Sequence, residues 1–318
     1  MRNLKQPTLA IVVPCYNEEE VLSETIKRLK NIYIQLLADK KIKEKSFITF
    51  IDDGSIDNTW EIIKQASHEY TYIRGIKLSK NEGHQHALLA GMQQVSNICD
   101  CMVSMDADLQ QDPNAINDMI NAYSQGYEIA LGIREDRESD SLFKKFTAES
   151  YYKLMNMMGV EIEFNHADYR LMSKRALRFF LQFKERNLFI RGMVKLVGLK
   201  TKKIYFKSSE RFAGESKYPL KKMISFALAG ITSFSVFPLK LITISGIIIF
   251  IITMILGLDA LYTVLFTEEA IPGWASTVLP IYFLGGVELL ALGILGEYIG
   301  KIYTETKNRP LYFIEDEI

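Results

Sequence analysis

The first 135 residues alternate between short β-branched runs and stretches with a helical spacing of apolar residues, and this alternation restricts the fold more than any other feature. The β-branched runs are LAIVV (9–13), SFITFID (46–52), YIRGIKL (72–78), CMVSMD (101–106) and EIALGI (128–133). The helical stretches cover roughly 19–38, 58–70, 84–96 and 114–125. Strand-then-helix repetition predicts an α/β domain with a mostly parallel sheet.

Polar residues follow three of these predicted strands. One cluster contains Pro14, Tyr16, Asn17 and Glu18, the next is Asp52-Asp53-Gly54-Ser55, and the third is Asp106–Gln110. Ligands of such sheets bind at the carboxyl ends of the strands, so the three clusters are expected at one site. Asp53 lies at a tight turn forced by Gly54-Ser55 and could accept a hydrogen bond from a ring N–H of a nucleobase. Residues 14–18 would form a floor for the base and its ribose.

Asp106 and Asp108 stand one residue apart at the end of a strand, so the backbone can aim both carboxylates at one point. Paired carboxylates share either a proton or a cation, and oxygen-only ligands suit Mg²⁺ or Mn²⁺ better than zinc. Gln110 adds an amide oxygen. A hard ion held by few protein ligands keeps positions for phosphate oxygens, so the cluster is interpreted as a metal clamp for a diphosphate.

Two long apolar segments occupy the last third of the chain, LITISGIIIFIITMILGLDALYTVLF (241–266) and STVLPIYFLGGVELLALGILGEYIG (276–300). Each exceeds the ~20 residues that span a bilayer; the alternative is a pair of buried core helices. No Lys or Arg occurs from Leu241 to Gly300, whereas Lys240 and Lys301 flank the outer ends. The positive-inside rule therefore predicts a multi-pass protein of the cell inner (plasma) membrane, with the catalytic domain and both termini in the cytoplasm.

Residues 218–234, YPLKKMISFALAGITSF, are typical of an amphipathic helix in the headgroup region, although they could also extend the first span. The expected division is a cytoplasmic catalytic domain over 1–217, an interfacial helix over 218–238, and a two-helix transmembrane domain with a cytoplasmic tail over 239–318. Paired short spans often associate, which allows a homo-oligomer, but the sequence leaves the oligomeric state open.

Charge and cysteine content argue against a nucleic-acid-binding protein and against a protein built on a disulfide framework. Lys+Arg and Asp+Glu both number 38, and a net charge of zero argues against a nucleic-acid partner. The chain has 3 cysteines and lacks a C-x-x-C pair, which suits a reducing compartment better than a disulfide framework.

Five stretches resemble, in order, the motif series of inverting family-2 glycosyltransferases with the GT-A fold. They are VVPCYNEEE, IDDGSIDNT, NEGHQHALLAG, MDADLQQDP and HADYRLM, and the resemblance covers about residues 8–215. DADLQQDP, RFAGESKY (211–218) and the two terminal spans are more narrowly similar to the polyprenyl-phosphate glycosyltransferases, a group that includes dolichyl-phosphate mannose synthases and bactoprenol glucosyltransferases.

The resemblance implies a role for each matching position. Asp53 would bind the base, Asp106, Asp108 and Gln110 would ligate Mg²⁺ or Mn²⁺ on the diphosphate, and Asp168 would lie near the acceptor. Asp108 and Asp168 are the candidate catalytic residues, and Asp168 could either orient a substrate or take a proton. The positions associated with the acceptor phosphate are Arg134, Arg211, Ser216 and Lys217. Many members of the family carry a basic residue near this position, and here His84 and His86 replace it. Their spacing is not the i, i+4 spacing of a helical metal pair, so they are interpreted as surface residues at a helix start.

The implied reaction is inverting transfer of a sugar from a nucleotide diphosphate sugar, UDP-glucose or UDP-N-acetylglucosamine, to polyprenyl (undecaprenyl) phosphate at the cytoplasmic membrane face. A lipid phosphate is already anionic at neutral pH, so a general base matters less than cancelling the repulsion between acceptor and diphosphate. A metal at Asp106 and Asp108 would supply positive charge on the donor side, and residues 211–217 would supply it on the acceptor side.

Two alternatives remain. The first is a processive polysaccharide synthase of the same superfamily, whose usual Q-x-x-R-W motif is not found at Trp60 or Trp274. The second is a catalytically inactive membrane scaffold, which the intact metal carboxylates disfavour.

Overall fold

Eight strands form one sheet in the computed structural model, which describes residues 6–135, 165–186, 188–207, 237–266 and 273–318. The strands are β1 (Leu9–Cys15), β2 (Phe47–Asp52), β3 (Ile73–Leu78), β4 (Cys101–Ser104), β5 (Ile129–Arg134), β6 (His166–Ser173), β7 (Thr201–Phe206) and β8 (Ile314–Glu317). Their order across the sheet is β7-β5-β6-β4-β1-β2-β3-β8. Only β6 and β8 run antiparallel to their neighbours among these strands, which confirms the mostly parallel sheet.

Helices connect the strands, and the first four match the four helical stretches that the apolar spacing predicts. They are α1 (Leu22–Ala38), α2 (Thr59–Glu69), α3 (His84–Val95), α4 (Ala115–Ser124), α5 (Lys174–Phe180), α6 (Ile190–Leu196), α7 (Phe237–Phe266) and α8 (Trp274–Thr306). In α1 the residues Leu22, Ile26, Leu29, Tyr33 and Leu36 are buried at three- and four-residue intervals and cover the sheet. The whole of β1 is buried, which is expected of a central strand covered on both faces.

The sheet topology brings four chain segments to one edge. In the parallel pairs, Cys15 of β1 lies beside Asp52 of β2, and Val12 of β1 beside Ser104 of β4, so these strands end together. β6 runs the other way and pairs Arg170 with Ser104, so its first residues lie where β4 ends. Residues 166–170 therefore meet the three predicted polar clusters.

The last ten residues differ from the predicted division of the chain. Arg309–Ile318 belong to the same compact unit as the sheet, because β8 pairs with β3 at the sheet edge. The prediction grouped this tail with the membrane segment, since a four-residue strand with one apolar and three acidic residues carries no strong signal of its partner. A strand at the edge of a sheet has unpaired backbone N–H and C=O groups, and here the tail forms hydrogen bonds with those of β3.

The second unit contains α7 and α8. One segment within the described residues, Phe283–Thr306 of α8, is long and apolar enough to cross a membrane. The first predicted span falls inside the 30-residue helix α7, so the pair of spans stays a prediction. The expected interfacial helix over 218–238 lies almost wholly outside the described residues.

Candidate active site

The loop after β4 holds the two predicted metal carboxylates in a tight turn. Leu109 has a φ of 58°, a left-handed conformation that is uncommon for a leucine, and it lets the chain reverse directly after Asp108. The hydroxyl of Thr25 in α1 donates to the carbonyl oxygen of Ala107 at 2.7 Å. The amide N–H of Gln110 donates to Asp108 Oδ1 at 3.1 Å. These two hydrogen bonds therefore fix the turn, one between Asp106 and Asp108 and the other directly after Asp108.

Gln111 brackets Asp106, a role that its place in the sequence does not reveal. Its side chain is fully buried; Oε1 accepts from the Asp106 amide N–H at 3.1 Å, and Nε2 donates to Asp106 Oδ2 at 2.6 Å. Gln110, the predicted amide ligand, is half-buried beside it. Gln111 thus orients the carboxylate by satisfying one of its oxygens and leaving the other for a different partner.

That other oxygen, Asp106 Oδ1, is buried and has no hydrogen-bond partner in the described part of the chain. His84 Nε2 lies 3.5 Å from it. The pKa of the Asp106 carboxyl is raised to about 6, mainly by burial; Asp168 and Asp108 also raise it, and His84 and Arg191 lower it. His84 is exposed at the start of α3, as predicted, and its imidazole also faces this site. A carboxylate in this setting calls for a proton or a cation.

Asp168 has the opposite environment, although it lies beside the same loop. Its Oδ1 pairs with Arg170, and its Oδ2 accepts from Arg191 Nε at 3.0 Å and Nη2 at 2.6 Å. Burial by itself would raise the pKa of Asp168, but Arg191 and Arg170 outweigh it and hold that pKa well below its ordinary value. Asp168 is thus an ionised carboxylate bound on both sides, which is a poor acceptor for a proton.

Unpaired polar atoms surround this ion pair at the adjoining ends of β5 and β6. Within the described ranges, the buried side-chain atoms without a hydrogen-bond partner include Arg134 Nε, Asn165 Oδ1, His166 Nε2, Arg170 Nε and Arg170 Nη1. Burial and the nearby guanidinium groups lower the pKa of His166 well below its ordinary value, so its imidazole is neutral at pH 7. Unpaired buried polar groups are costly, and their concentration here is typical of a site that receives a polar ligand.

Asp53 is held by the segment that joins β3 to α3. Its Oδ1 accepts from the amide of Glu82 at 2.8 Å and its Oδ2 from the amide of Gly83 at 2.9 Å. Gly54, with a φ of +66°, packs so closely that a Cβ would lie 2.5 Å from the carbonyl carbon of Lys80. Asp53 lies at the predicted edge, and a nucleobase contact would have to use the lone pairs that these amides leave.

The loop after β1 is bonded to the loop after β2. The Asn17 and Glu18 amides donate to the Ser55 and Thr59 hydroxyls at 2.9 Å each, and Asn17 Oδ1 accepts from the Ile56 amide at 3.0 Å. Asn17 has a φ of 53°, which Asn tolerates better than most residues. Pro14 is buried within β1, whereas Tyr16 is 41 % exposed and able to contact a ligand.

The predicted residues divide into two groups, and a third group of site residues was not predicted. The structure brings together Asn17, Glu18, Asp53, Asp106, Asp108, Gln110 and Asp168 at one sheet edge, with Arg134 at the end of neighbouring β5. Arg211, Ser216 and Lys217 lie outside the described residues. Gln111, Arg170 and Arg191 were missed. The first two stand inside quoted motifs, whereas Arg191 follows no motif and reaches Asp168 only through the fold.

Comparison with known proteins places the chain in a family. The model described as glycosyl transferase family 2 matches residues 10–180, more than half of the chain. An uncharacterized glycosyltransferase, YkoT, from Bacillus subtilis (strain 168) is 46% identical over 313 residues, which cover 98% of this chain and 93% of the relative. The bactoprenol glucosyl transferase of Shigella phage SfV is 36% identical over 310 residues, or 97% of this chain and 98% of the relative.

A solved structure is more distantly similar. Glucosyl-3-phosphoglycerate synthase from Mycobacterium tuberculosis, in complex with Mn²⁺, uridine diphosphate and phosphoglyceric acid, superposes with a TM-score of 0.48 at 14% identity, covering 71% of this chain and 76% of that one. At this level of similarity the alignment assigns none of those ligands to this chain. The family model and the near-full-length relatives suffice: the chain belongs to glycosyl transferase family 2, and its mostly parallel sheet is that of the GT-A fold.

Proposed function

We propose that this protein transfers a sugar, with inversion, from a nucleotide diphosphate sugar to polyprenyl phosphate at the cytoplasmic face of the membrane. The observation that carries the proposal is the state of Asp168, which Arg170 and Arg191 hold ionised. A hydroxyl acceptor needs a base to remove its proton, and Asp168 is not available for that. A lipid phosphate is already an anion and needs no base.

The relatives support the same acceptor class and favour one donor. Proteins named bactoprenol glucosyl transferase match this chain at 36% and 37% identity over 97% and 96% of its length. UDP-glucose is therefore the first donor to test and UDP-N-acetylglucosamine the second.

The donor-side residues fit a divalent cation. Asp106 Oδ1 is buried without a hydrogen-bond partner among the described residues, and its pKa is raised by burial and by neighbouring carboxylates, so a cation would satisfy it. The described residues contain no group of three or more His, Cys, Asp or Glu side chains arranged for a metal, which suits an ion held by two carboxylates and completed by phosphate oxygens. Asp106, Asp108 and Gln110 would hold Mg²⁺ or Mn²⁺, which stabilises the charge of the departing diphosphate.

The chain's own basic residues would bind the acceptor phosphate. Arg134 ends β5 beside Asn165 and His166, and its buried Nε has no hydrogen-bond partner among the described residues. Together with Arg211, Ser216 and Lys217, it would bind the acceptor phosphate, since Arg supplies paired donors and Lys a point charge. Asp168 would fix the Arg191 guanidinium next to Asp106. Base and ribose would lie against Tyr16, Asn17, Glu18 and Asp53.

The C-terminal tail supports a two-pass topology. The described residues between 6 and 207 share one folded sheet unit with residues 309–318, so both parts lie on the same side of a membrane. The chain between them must then cross an even number of times. If the segment Phe283–Thr306 crosses, a second crossing is needed, and the apolar helix α7 is long enough to supply it. The lysines outside both spans favour a cytoplasmic sheet unit.

A donor panel tests the proposal. The full chain, in membranes with added undecaprenyl phosphate and Mg²⁺ or Mn²⁺, is incubated with radiolabelled UDP-glucose, UDP-N-acetylglucosamine or GDP-mannose. We expect chloroform-soluble label from one uridine donor and none with Asp108→Asn. Label in a water-soluble polymer would favour a processive synthase, and no transfer from any donor would favour a scaffold; either result would overturn the proposal.

A further inference from the structure

We infer that the C-terminal tail, residues 309–318, is a working part of the donor site and not only the end of the membrane segment. The tail would position the β3–α3 segment, defined here as residues 79–86, which holds Asp53 and faces Asp106. This inference rests on the proposed function insofar as Asp53 and Asp106 are taken to bind the donor.

The first contact is a backbone pairing that reaches the start of this segment. β8 aligns Glu317 with Ile76 and Ile314 with Leu78, with a register shift between Lys77 and Leu78. The amide of Ser79 then donates to the carbonyl oxygen of Phe313 at 3.0 Å. The pairing therefore continues past the end of β3 and fixes the first residue of the β3–α3 segment.

Two further contacts hold the far side of the segment. The Tyr312 hydroxyl donates to Gln93 Oε1 on α3, and the Arg186 guanidinium donates to the carbonyl oxygen of Arg309. The carbonyl oxygen of Arg186 lies 3.3 Å from His86 Nε2. The tail thus contacts β3 before the segment, α3 after it, and Arg186, whose carbonyl oxygen lies next to His86.

The segment carries the groups that a donor would meet. The amides of Glu82 and Gly83 bind Asp53 at 2.8 and 2.9 Å, and His84 Nε2 lies 3.5 Å from Asp106 Oδ1. Gln85 Oε1 accepts from the amide of Ile190 at 3.0 Å, at the start of the helix that carries Arg191. A shift of the segment would therefore disturb Asp53, Asp106 and the Arg191–Asp168 pair together.

Chain connectivity gives this arrangement a consequence for the membrane segment. α8 ends at Thr306, and the tail begins at Arg309. The chain that leaves the last apolar helix passes within three residues into the support of the donor site. The tail is thereby tied covalently to the end of the last apolar helix.

The test compares the full chain with two altered tails. The first variant ends at Asn308. The second, Tyr312→Phe with Glu315→Gln, removes the hydrogen bond to Gln93 and the charge of the 3.2 Å ion pair with Lys77, and keeps the backbone pairing. Its matched control is Tyr205→Phe with Glu61→Gln, which alters a half-exposed tyrosine on β7 and an exposed ion pair on α2. Amide hydrogen exchange is measured in lipid nanodiscs, and donor and acceptor KM are measured separately.

We expect truncation to speed exchange of residues 79–86 by roughly tenfold or more, because it removes the backbone pairing. The double variant should speed it by about threefold, because the exposed side-chain contacts that it weakens contribute less. Exchange in β1 and β4 should not change. Donor KM should rise by a similar factor, while acceptor KM stays within about twofold.

Unchanged exchange of 79–86 in both variants, or equal increases in the donor and acceptor KM, would overturn the inference. If truncation also speeds exchange in β1, the truncated chain has unfolded, and the exchange of the double variant then decides whether the inference holds. If the wild-type chain transfers no sugar, the proposed function fails while the exchange measurement still judges the role of the tail.

Discussion

Gln111→Leu provides a direct test of how the metal loop is held. Leucine has nearly the same volume as glutamine, so the change removes two hydrogen bonds without a large cavity. It leaves the Asp106 amide and Asp106 Oδ2 without the partners that Gln111 supplies at 3.1 and 2.6 Å. A neutral bond contributes about 1 kcal/mol and a bond to a charged group about 1.5–3 kcal/mol, so the expected loss is about 2.5–4 kcal/mol.

Gln110→Leu is the matched control, because Gln110 is the half-buried neighbour. For a domain of this size the loss at Gln111 corresponds to a fall in Tm of roughly 5–15 °C, measured by thermal unfolding in detergent without added metal. Gln110→Leu should shift Tm by no more than about 2 °C yet raise the Mn²⁺ concentration needed for half-maximal activity. Equal Tm values for the two variants would refute the assignment of Gln111 as the residue that holds Asp106.

Three further predictions follow from charges and backbone geometry. Asp168→Asn should destabilise the protein by about 3–5 kcal/mol in chemical denaturation, because it leaves buried Arg170 unpaired; a loss below about 1 kcal/mol would contradict the ion pair. The pKa of Asp106 is raised from 3.8 to about 6, so the metal-free protein is stabilised by the protonated form. As pH rises from about 4 to about 6, the unfolding free energy of wild type relative to Asp106→Asn should therefore fall by at most about 3 kcal/mol. A difference that does not change with pH would exclude the raised pKa. Gly54→Ala should raise donor KM at least several-fold through its clash with Lys80, while Gly126→Ala, a positive-φ control with open space around it, should not change KM.

The sequence predicted the site as far as local patterns reach. A β-branched run followed by a polar cluster marks a strand end, and parallel strands end at one edge, so these patterns are enough to group Asp53, Asp106 and Asp108. The residue facing Asp106 could not be recognised in this way. His84 stands at the start of a helix in a polar stretch, and local pattern does not distinguish a site histidine from a surface one.

The protonation behaviour of the carboxylates depends on partners far away in sequence. Asp106 and Asp168 are both acids at the same sheet edge, yet the pKa of Asp106 is raised to about 6 and the pKa of Asp168 is lowered, because Arg170 and Arg191 pair with Asp168. Arg191 lies on a short helix outside every quoted motif. Its contact with Asp168 therefore appears only when α6 packs against the sheet.

The sequence alone thus determined the α/β alternation, the strand-end clusters and the apolar C-terminal segments, because these are expressed in the spacing of neighbouring residues. Tertiary structure decided the antiparallel entry of β6, the return of residues 309–318 to β3, and which glutamine binds Asp106. Each of these depends on hydrogen bonds and charges between segments distant in the chain or on side-chain direction within a tight turn, and a local pattern carries neither.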